Sequence, residues 1–304
     1  MNARVVIIVL MFSAIASAQT PRGASIREAS IYLSPDTTST KMAELDRGRE
    51  IIILETTRDW LHVEANLTEE KVVSGWIQAK GVVSASIPNG DRILFGEAVD
   101  CEDQASQRHG RRGAAQDAMR LYARVADYFP TSPLAAEAMY RSADIRWQIE
   151  KADVMTRPSS KEQNPILREG MDEKYMKEVM KKFPGTKSSD LAAFHLIENK
   201  LCGDWQGQTK CPEREAEIYE KFASEHPQST VAAEALYDAA WRRSALIEMY
   251  KTEDQPKKSD ESKTKAIALA QKAAQFLQSD WAARAERLLF MIEQGMPTYG
   301  NAQE

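Results

Sequence analysis

One motif recurs in the second half of this chain and limits what the chain can fold into. It consists of an aromatic residue or His, then Pro, then a small or polar pair, then an Ala-rich helix start. It reads Phe129-Pro130-Thr131-Ser132 before Ala135, Ala136, Ala138 and Tyr140. It returns as Phe183-Pro184-Gly185-Thr186 before Ala192, Ala193 and Phe194, and as His226-Pro227-Gln228-Ser229 before Ala232, Ala233, Ala235 and Tyr237. A residue before Pro avoids helical dihedrals, so each Pro ends one helix. The hydroxyl that follows is placed to cap the next. Ala residues let two helices approach closely, and repetition of such a unit marks a helical array.

Apolar spacings of three and four support this reading. Ala118, Leu121, Tyr122 and Val125 fall on one stripe. The two-helix unit can be drawn four times. First helices are expected near 111–129, 168–183, 212–226 and 261–277, and second helices near 132–154, 187–201, 229–250 and 280–294. The last unit lacks Pro and has Phe276-Leu277-Gln278-Ser279 in its place. Divergence of a terminal unit is expected of a cap. These residues resemble the tetratricopeptide repeats of bacterial envelope proteins, such as outer-membrane-assembly lipoproteins and the Tol–Pal coordinator. The prolines at 130, 184 and 227 stand further apart than that family's period of about 34 residues. The excess falls in loops such as 156–164 and 202–211, and a polar insert over 252–263 separates the last two units.

Residues 24–86 have a different pattern. Short apolar runs around Ile31, Met42, Ile51-Ile52-Ile53-Leu54, Trp60-Leu61, Trp76-Ile77 and Val82-Val83 are separated by turn residues at Ser34-Pro35-Asp36, Asp46-Arg47-Gly48 and Arg58-Asp59. Five strands forming a partly open β-barrel are expected. Ser34-Pro35, Arg47-Gly48-Arg49, Trp60-Leu61-His62-Val63 and Gly75-Trp76-Ile77 resemble the bacterial SH3-like family. That resemblance implies docking to cell-wall peptides or to proteins in exported settings. Two readings stand for Trp60 and Trp76: a ligand groove, or filling of a small core, which is the weightier. His62 alternates outward from Leu61 and Val63.

The expected organisation is therefore α+β: a signal peptide over 1–18, an SH3-like barrel over 24–86, a linker over 87–110, helical repeats over 111–295 and a tail over 296–304. The signal peptide rests on Arg4, the apolar run from Val5 to Phe12 and the small-x-small site Ala16-Ser17-Ala18. No Cys follows that site, so a lipid anchor is not expected there. The linker includes a short strand at 93–95. It also carries Glu97, Asp100, Glu102 and Asp103, read as linker acids or charges near a helix start rather than cation ligands.

In an oxidising compartment Cys202 and Cys211 are expected to close the loop between them, leaving Cys101 outside that pair or as an alternative partner. Net charge is −5, and nothing points to nucleic acid. No run after the leader is long and apolar enough to span a bilayer. No phosphate loop, metalloprotease helix, nucleophile elbow or neighbouring Cys–His pair is found, and no cofactor is expected. The function expected is an exported, non-catalytic scaffold of the bacterial envelope, periplasmic or secreted. Its partners are an envelope protein or peptide, and peptidoglycan through the SH3-like module. Candidate partner-binding residues are Arg120, Arg124, Lys177 and Lys181 on the repeats, with Trp60 and Trp76 on the barrel. The alternatives are an accessory wall hydrolase using carboxylates, or a structural spacer.

Overall fold

A computed structural model describes residues 21–299 apart from positions 69 and 163. The expected leader at 1–18 and positions 300–304 of the expected tail lie outside the described residues. The chain divides into two compact units that meet between Ile87 and Pro88.

The first unit is an antiparallel sheet of β1 (Arg22–Ser25), β2 (Ala29–Tyr32), β3 (Lys41–Leu45), β4 (Glu50–Thr57), β5 (Trp60–Asn66), β6 (Val72–Gln78) and β7 (Val82–Ser84). The order across the sheet is β3-β2-β6-β5-β4-β1-β7. This corrects two expectations. Seven strands are present among the described residues where five were expected: the first apolar stretch is split at residues 26–28 into β1 and β2, and all the later apolar runs, down to the short β7, form strands of their own. The sheet is also open, with β3 and β7 as its edges, and does not close into a barrel. One face carries the core: Ile31, Leu45, Ile51, Leu61, Val63, Ala65, Val73 and Ile77. Strand periodicity produces that face. In β5, Leu61, Val63 and Ala65 point inward while Trp60, His62 and Glu64 alternate outward. A register shift in β4 between Ile53 and Glu55 turns Leu54 out to solvent, so the apolar run there is only partly core.

The second unit is helical: α1 (Gly90–Ser106), α2 (Ala114–Tyr128), α3 (Ala135–Val154), α4 (Lys174–Lys182), α5 (Lys187–His195), α6 (Lys210–Glu225), α7 (Ala232–Thr252), α8 (Pro256–Ala274) and α9 (Asp280–Glu293). Consecutive helices pack as the hairpins α2–α3, α4–α5, α6–α7 and α8–α9. Two expectations fail here. Residues 90–106 are neither linker nor strand but helix α1, which packs along α2. Helix α8 starts at Pro256, so most of the polar stretch expected to be an insert is helical. A polar first turn in which Pro needs no N–H donor accounts for this start.

The recurring motif is a recurring conformation. Phe129, Phe183 and His226 leave their helices at φ/ψ of −129/57, −128/53 and −125/54 degrees. Each donates its N–H to the carbonyl four residues back, on Val125, Val179 and Phe222. The fourth unit has no Pro, and its Phe276, in the place of those three residues, donates its N–H to the carbonyl three residues back, on Ala273, at 3.2 Å. All four units retain the hydroxyl. Ser132, Thr186, Ser229 and Ser279 accept the N–H of Leu134, Ser189, Val231 and Trp281 at 3.2, 3.2, 3.4 and 3.2 Å. Fully buried alanines line the helix seams, among them Ala138, Ala192, Ala235, Ala239, Ala270 and Ala285. Buried clusters run through the unit, among them one around Trp147 and Met176, one around Tyr219 and Phe222, and one around Ala270 and Leu288. Among the described residues, no helix is long and apolar enough to cross a membrane.

Candidate functional site

Three neighbouring strands, β2, β6 and β5, place aromatic side chains on the sheet face opposite the core. The register pairs Tyr32 with Trp76, and Trp76 with His62. The three side chains therefore form one row across the strands. His62 stacks on Trp76 with ring centres 5.0 Å apart, and Tyr32 meets Trp60 edge to face at 5.8 Å. All four residues are only partly buried. Ser74 Oγ lies 3.3 Å from His62 Nε2. Trp60 and Trp76 therefore do not fill the core, and the reading of them as core residues is overturned. Period two accounts for it: Trp60 has the parity of outward His62, and Trp76 the opposite parity to inward Val73 and Ile77.

Gly75 makes this row possible. A Cβ there would lie 2.6 Å from the Tyr32 carbonyl oxygen and 2.7 Å from Ile31 Cγ2. Only glycine lets β2 come close enough for Tyr32 to stand beside Trp76. A cleft of about 570 Å³ adjoins the row, lined by Arg27, Glu28, Ser30, Tyr32, Gln78 and Lys80 among others. Its turn is fixed by Ser25, whose Oγ donates to the Arg27 carbonyl at 2.7 Å. Tyr32 belongs to both row and cleft, and Gln78 of the cleft pairs in register with Trp60, so a ligand stacked on the rings has polar and charged groups of both signs at its flank. Such a surface suits a ring with an apolar face and polar edges, or an extended peptide with aromatic or proline residues.

The helical unit has a cleft of about 300 Å³ between α2, α3 and α4, lined by Arg124, Asp127, Ser142, Arg146, Tyr175 and Lys182 among others. The four cationic candidates are not gathered there. Arg124 lines the cleft and pairs with Asp127 at 3.2 Å. Arg120 instead binds buried Asp117, which Arg111 also contacts at 2.5 Å. Its charge is thus paired with a carboxylate one turn back on its own helix. Lys177 is exposed and pairs with Glu173 at 2.7 Å, and Lys181 is exposed on the same helix. The cations that sequence reading missed are Arg146 and Lys182. The Arg146 guanidinium lies 4.0 Å from the Tyr175 ring centre. The three- and four-residue spacing of Arg146 from Ser142 and Ala143, which also line the cleft, was the available signal.

Other chemistry-bearing groups are engaged in packing. Glu102 accepts the Tyr122 hydroxyl at 2.6 Å and Arg141 at 3.1 Å. Among the described residues, no cluster of His, Cys, Asp or Glu could hold a metal ion. His195 Nε2 lies 3.0 Å from the Tyr140 hydroxyl and 3.4 Å from Asp144. Cys202 and Cys211 form a disulfide, with Cα atoms 6.0 Å apart. Cys101 is buried on α1 outside that bond. Two carboxylates share a face of α7. Burial raises the pKa of Asp238 despite Arg242 nearby, and burial with the Asp238 charge raises that of Glu234. Asp238 pairs with Arg242 at 3.4 Å, and neither acid lines the two clefts described.

No family model matches the sequence, and no curated protein matches it. Among solved structures, the chain aligns with a DHF58 filament at 17% identity, covering 67% of this chain and 91% of that one, with a TM-score of 0.23. It aligns with the de novo designed helical repeat protein DHR64 at 18% identity, covering 67% and 92%, with a TM-score of 0.21. Scores this low carry no argument, and the fold described above rests on the chain's own contacts.

Proposed function

We propose that this protein is an exported, non-catalytic scaffold of the bacterial envelope. The sheet unit is an SH3-like module whose sheet stays open, and it docks to wall material. The helical unit is a tetratricopeptide-like array that holds a peptide or protein partner. The observation that carries this reading is the row Tyr32–Trp76–His62 with Trp60 beside it, half-buried on the face the core does not use. A small domain gains nothing for its own core from large rings placed there, whereas a sugar ring or peptide gains stacking area. The cleft that holds Arg124, Arg146 and Lys182 together with Asp127 and Glu178 supports the second half of the reading, because charged groups of both signs beside the Tyr175 ring can fix the register of a bound segment.

The test is co-sedimentation of the full chain with purified peptidoglycan. Trp60→Ala combined with Trp76→Ala should lower the bound fraction about tenfold, the effect of losing roughly 1.4 kcal/mol of stacking. Equal sedimentation of both proteins, or none by the wild type, would overturn wall docking.

A further inference from the structure

The chain's own C-terminal segment occupies a site on α7 in the manner of a bound peptide. After α9 the chain turns at Gly295, whose φ of 66 degrees breaks the helix. It then passes over α7 without joining a helix or strand. Contact is concentrated at two residues. Thr298 is 5% exposed, while Met296 just before it is 48% exposed. Trp241 Nε1 donates to the Thr298 carbonyl at 3.2 Å, and the Ser244 and Thr298 hydroxyls meet at 2.8 Å. The Tyr299 ring lies 5.0 Å from that of Trp205 and packs beside Leu246, Met249 and Tyr250. Indole N–H to main-chain carbonyl, hydroxyl to hydroxyl and ring to ring are the contacts by which a groove reads an extended segment.

The site is built from parts that do not need the tail. Trp205 and Trp241 stand 5.1 Å apart and form its floor. Trp205 sits in the loop closed by the Cys202–Cys211 disulfide. Its indole N–H and the Cys202 main-chain N–H both donate to Glu215 Oε1, at 3.2 and 2.9 Å. The other Glu215 oxygen accepts from Arg242 Nε at 2.7 Å. A disulfide and a buried ion pair thus hold one wall in place through contacts that involve neither Thr298 nor Tyr299.

We infer that this face of α7 is a docking site for an extended segment of a partner protein carrying Ser or Thr followed by Tyr. Residues Thr298 and Tyr299 occupy it in cis and compete with that partner. The inference extends the peptide-holding part of the proposed function, and it involves no residue of the sheet. A tethered segment acts at an effective concentration in the millimolar range, so the tail screens out weak ligands and yields to strong ones.

The experiment is fluorescence anisotropy with a labelled peptide Gly-Met-Pro-Thr-Tyr titrated into the full chain. Thr298→Gly with Tyr299→Gly vacates the site and should tighten peptide binding about tenfold over wild type, as expected when a tail fills nine-tenths of the sites. Within the vacated chain, Trp241→Phe removes the indole donor and should abolish that gain. A peptide with Ala for Tyr should not bind. If the double glycine variant loses its helical circular dichroism, Thr298→Val serves instead, and it should tighten binding about threefold. Equal affinity for wild-type and vacated chains, indifference to Trp241→Phe, or a dimer formed by tail exchange between copies would each overturn the inference. Because the peptidoglycan test probes only the sheet, failure of either reading leaves the other standing.

Discussion

Glu215 is the most constrained charge among the described residues. It is 2% exposed and accepts three N–H groups, from Cys202, Trp205 and Arg242. Arg242 is itself 7% exposed and lies over the Tyr219 ring at 4.4 Å. A buried pair of this kind adds little net stability, but breaking it leaves a charge without a partner. Arg242→Met should therefore cost about 3–5 kcal/mol, read from the midpoint of urea unfolding. The double variant Glu215→Gln with Arg242→Met should recover most of that loss, and a double variant no better than the single would refute the argument. At this scale the sequence was legible only where a period applied. The parity that turned His62 outward applied equally to Trp60, but a preference for large side chains in a small core outweighed it. Nothing in the spacing of Glu215 and Arg242 announced their pairing, because it depends on how two helices face each other.

At the scale of elements, the hydroxyl after each Pro was the most reliable signal. Pro excludes helix from the residue before it, and the hydroxyl replaces the hydrogen bonds that the next helix start lacks. Both effects are local, and therefore readable. Helix α1 was missed for the complementary reason. Its acids suggested a solvated connection, yet Leu94, Ala98 and Cys101 give it a buried stripe against α2. The disulfide was legible from cysteine count and loop composition. Closing a loop of this size should stabilise the chain by about 2–3 kcal/mol. Cys202→Ser with Cys211→Ser should lower the melting temperature by a matching amount in oxidising buffer. Reductant should lower the wild type to the level of the variant and leave the variant unchanged. If both proteins melt together without reductant, the bridge contributes nothing to the fold.

For the whole molecule, the division into two units decides which experiments can separate the two proposed roles. Residues 85–89 are exposed and lie in turns at the junction. Each side has its own buried cluster, around Val63 in the sheet and around Trp147, Phe222 and Ala270 in the helices. Limited digestion with a protease of broad specificity should cut first near Ile87 and leave two stable fragments, identified by mass. The fragment beginning near Pro88 should keep its helical circular dichroism and a cooperative melt. Digestion that passes straight to small peptides would show that neither unit stands on its own core.

The α+β class, the order of sheet and helices, the hairpin count and the Pro-hydroxyl turns follow from the sequence by itself, because each depends on neighbours within a few residues. Tertiary structure alone decided that the sheet stays open, that four aromatic rings share a face, that Arg120 is consumed by Asp117, and that Thr298 returns to Trp241 and Ser244. Apart from the i,i+3 pair of Arg120 with Asp117, those outcomes depend on contacts between residues far apart in the chain, where register and facing select among arrangements that local pattern leaves equal.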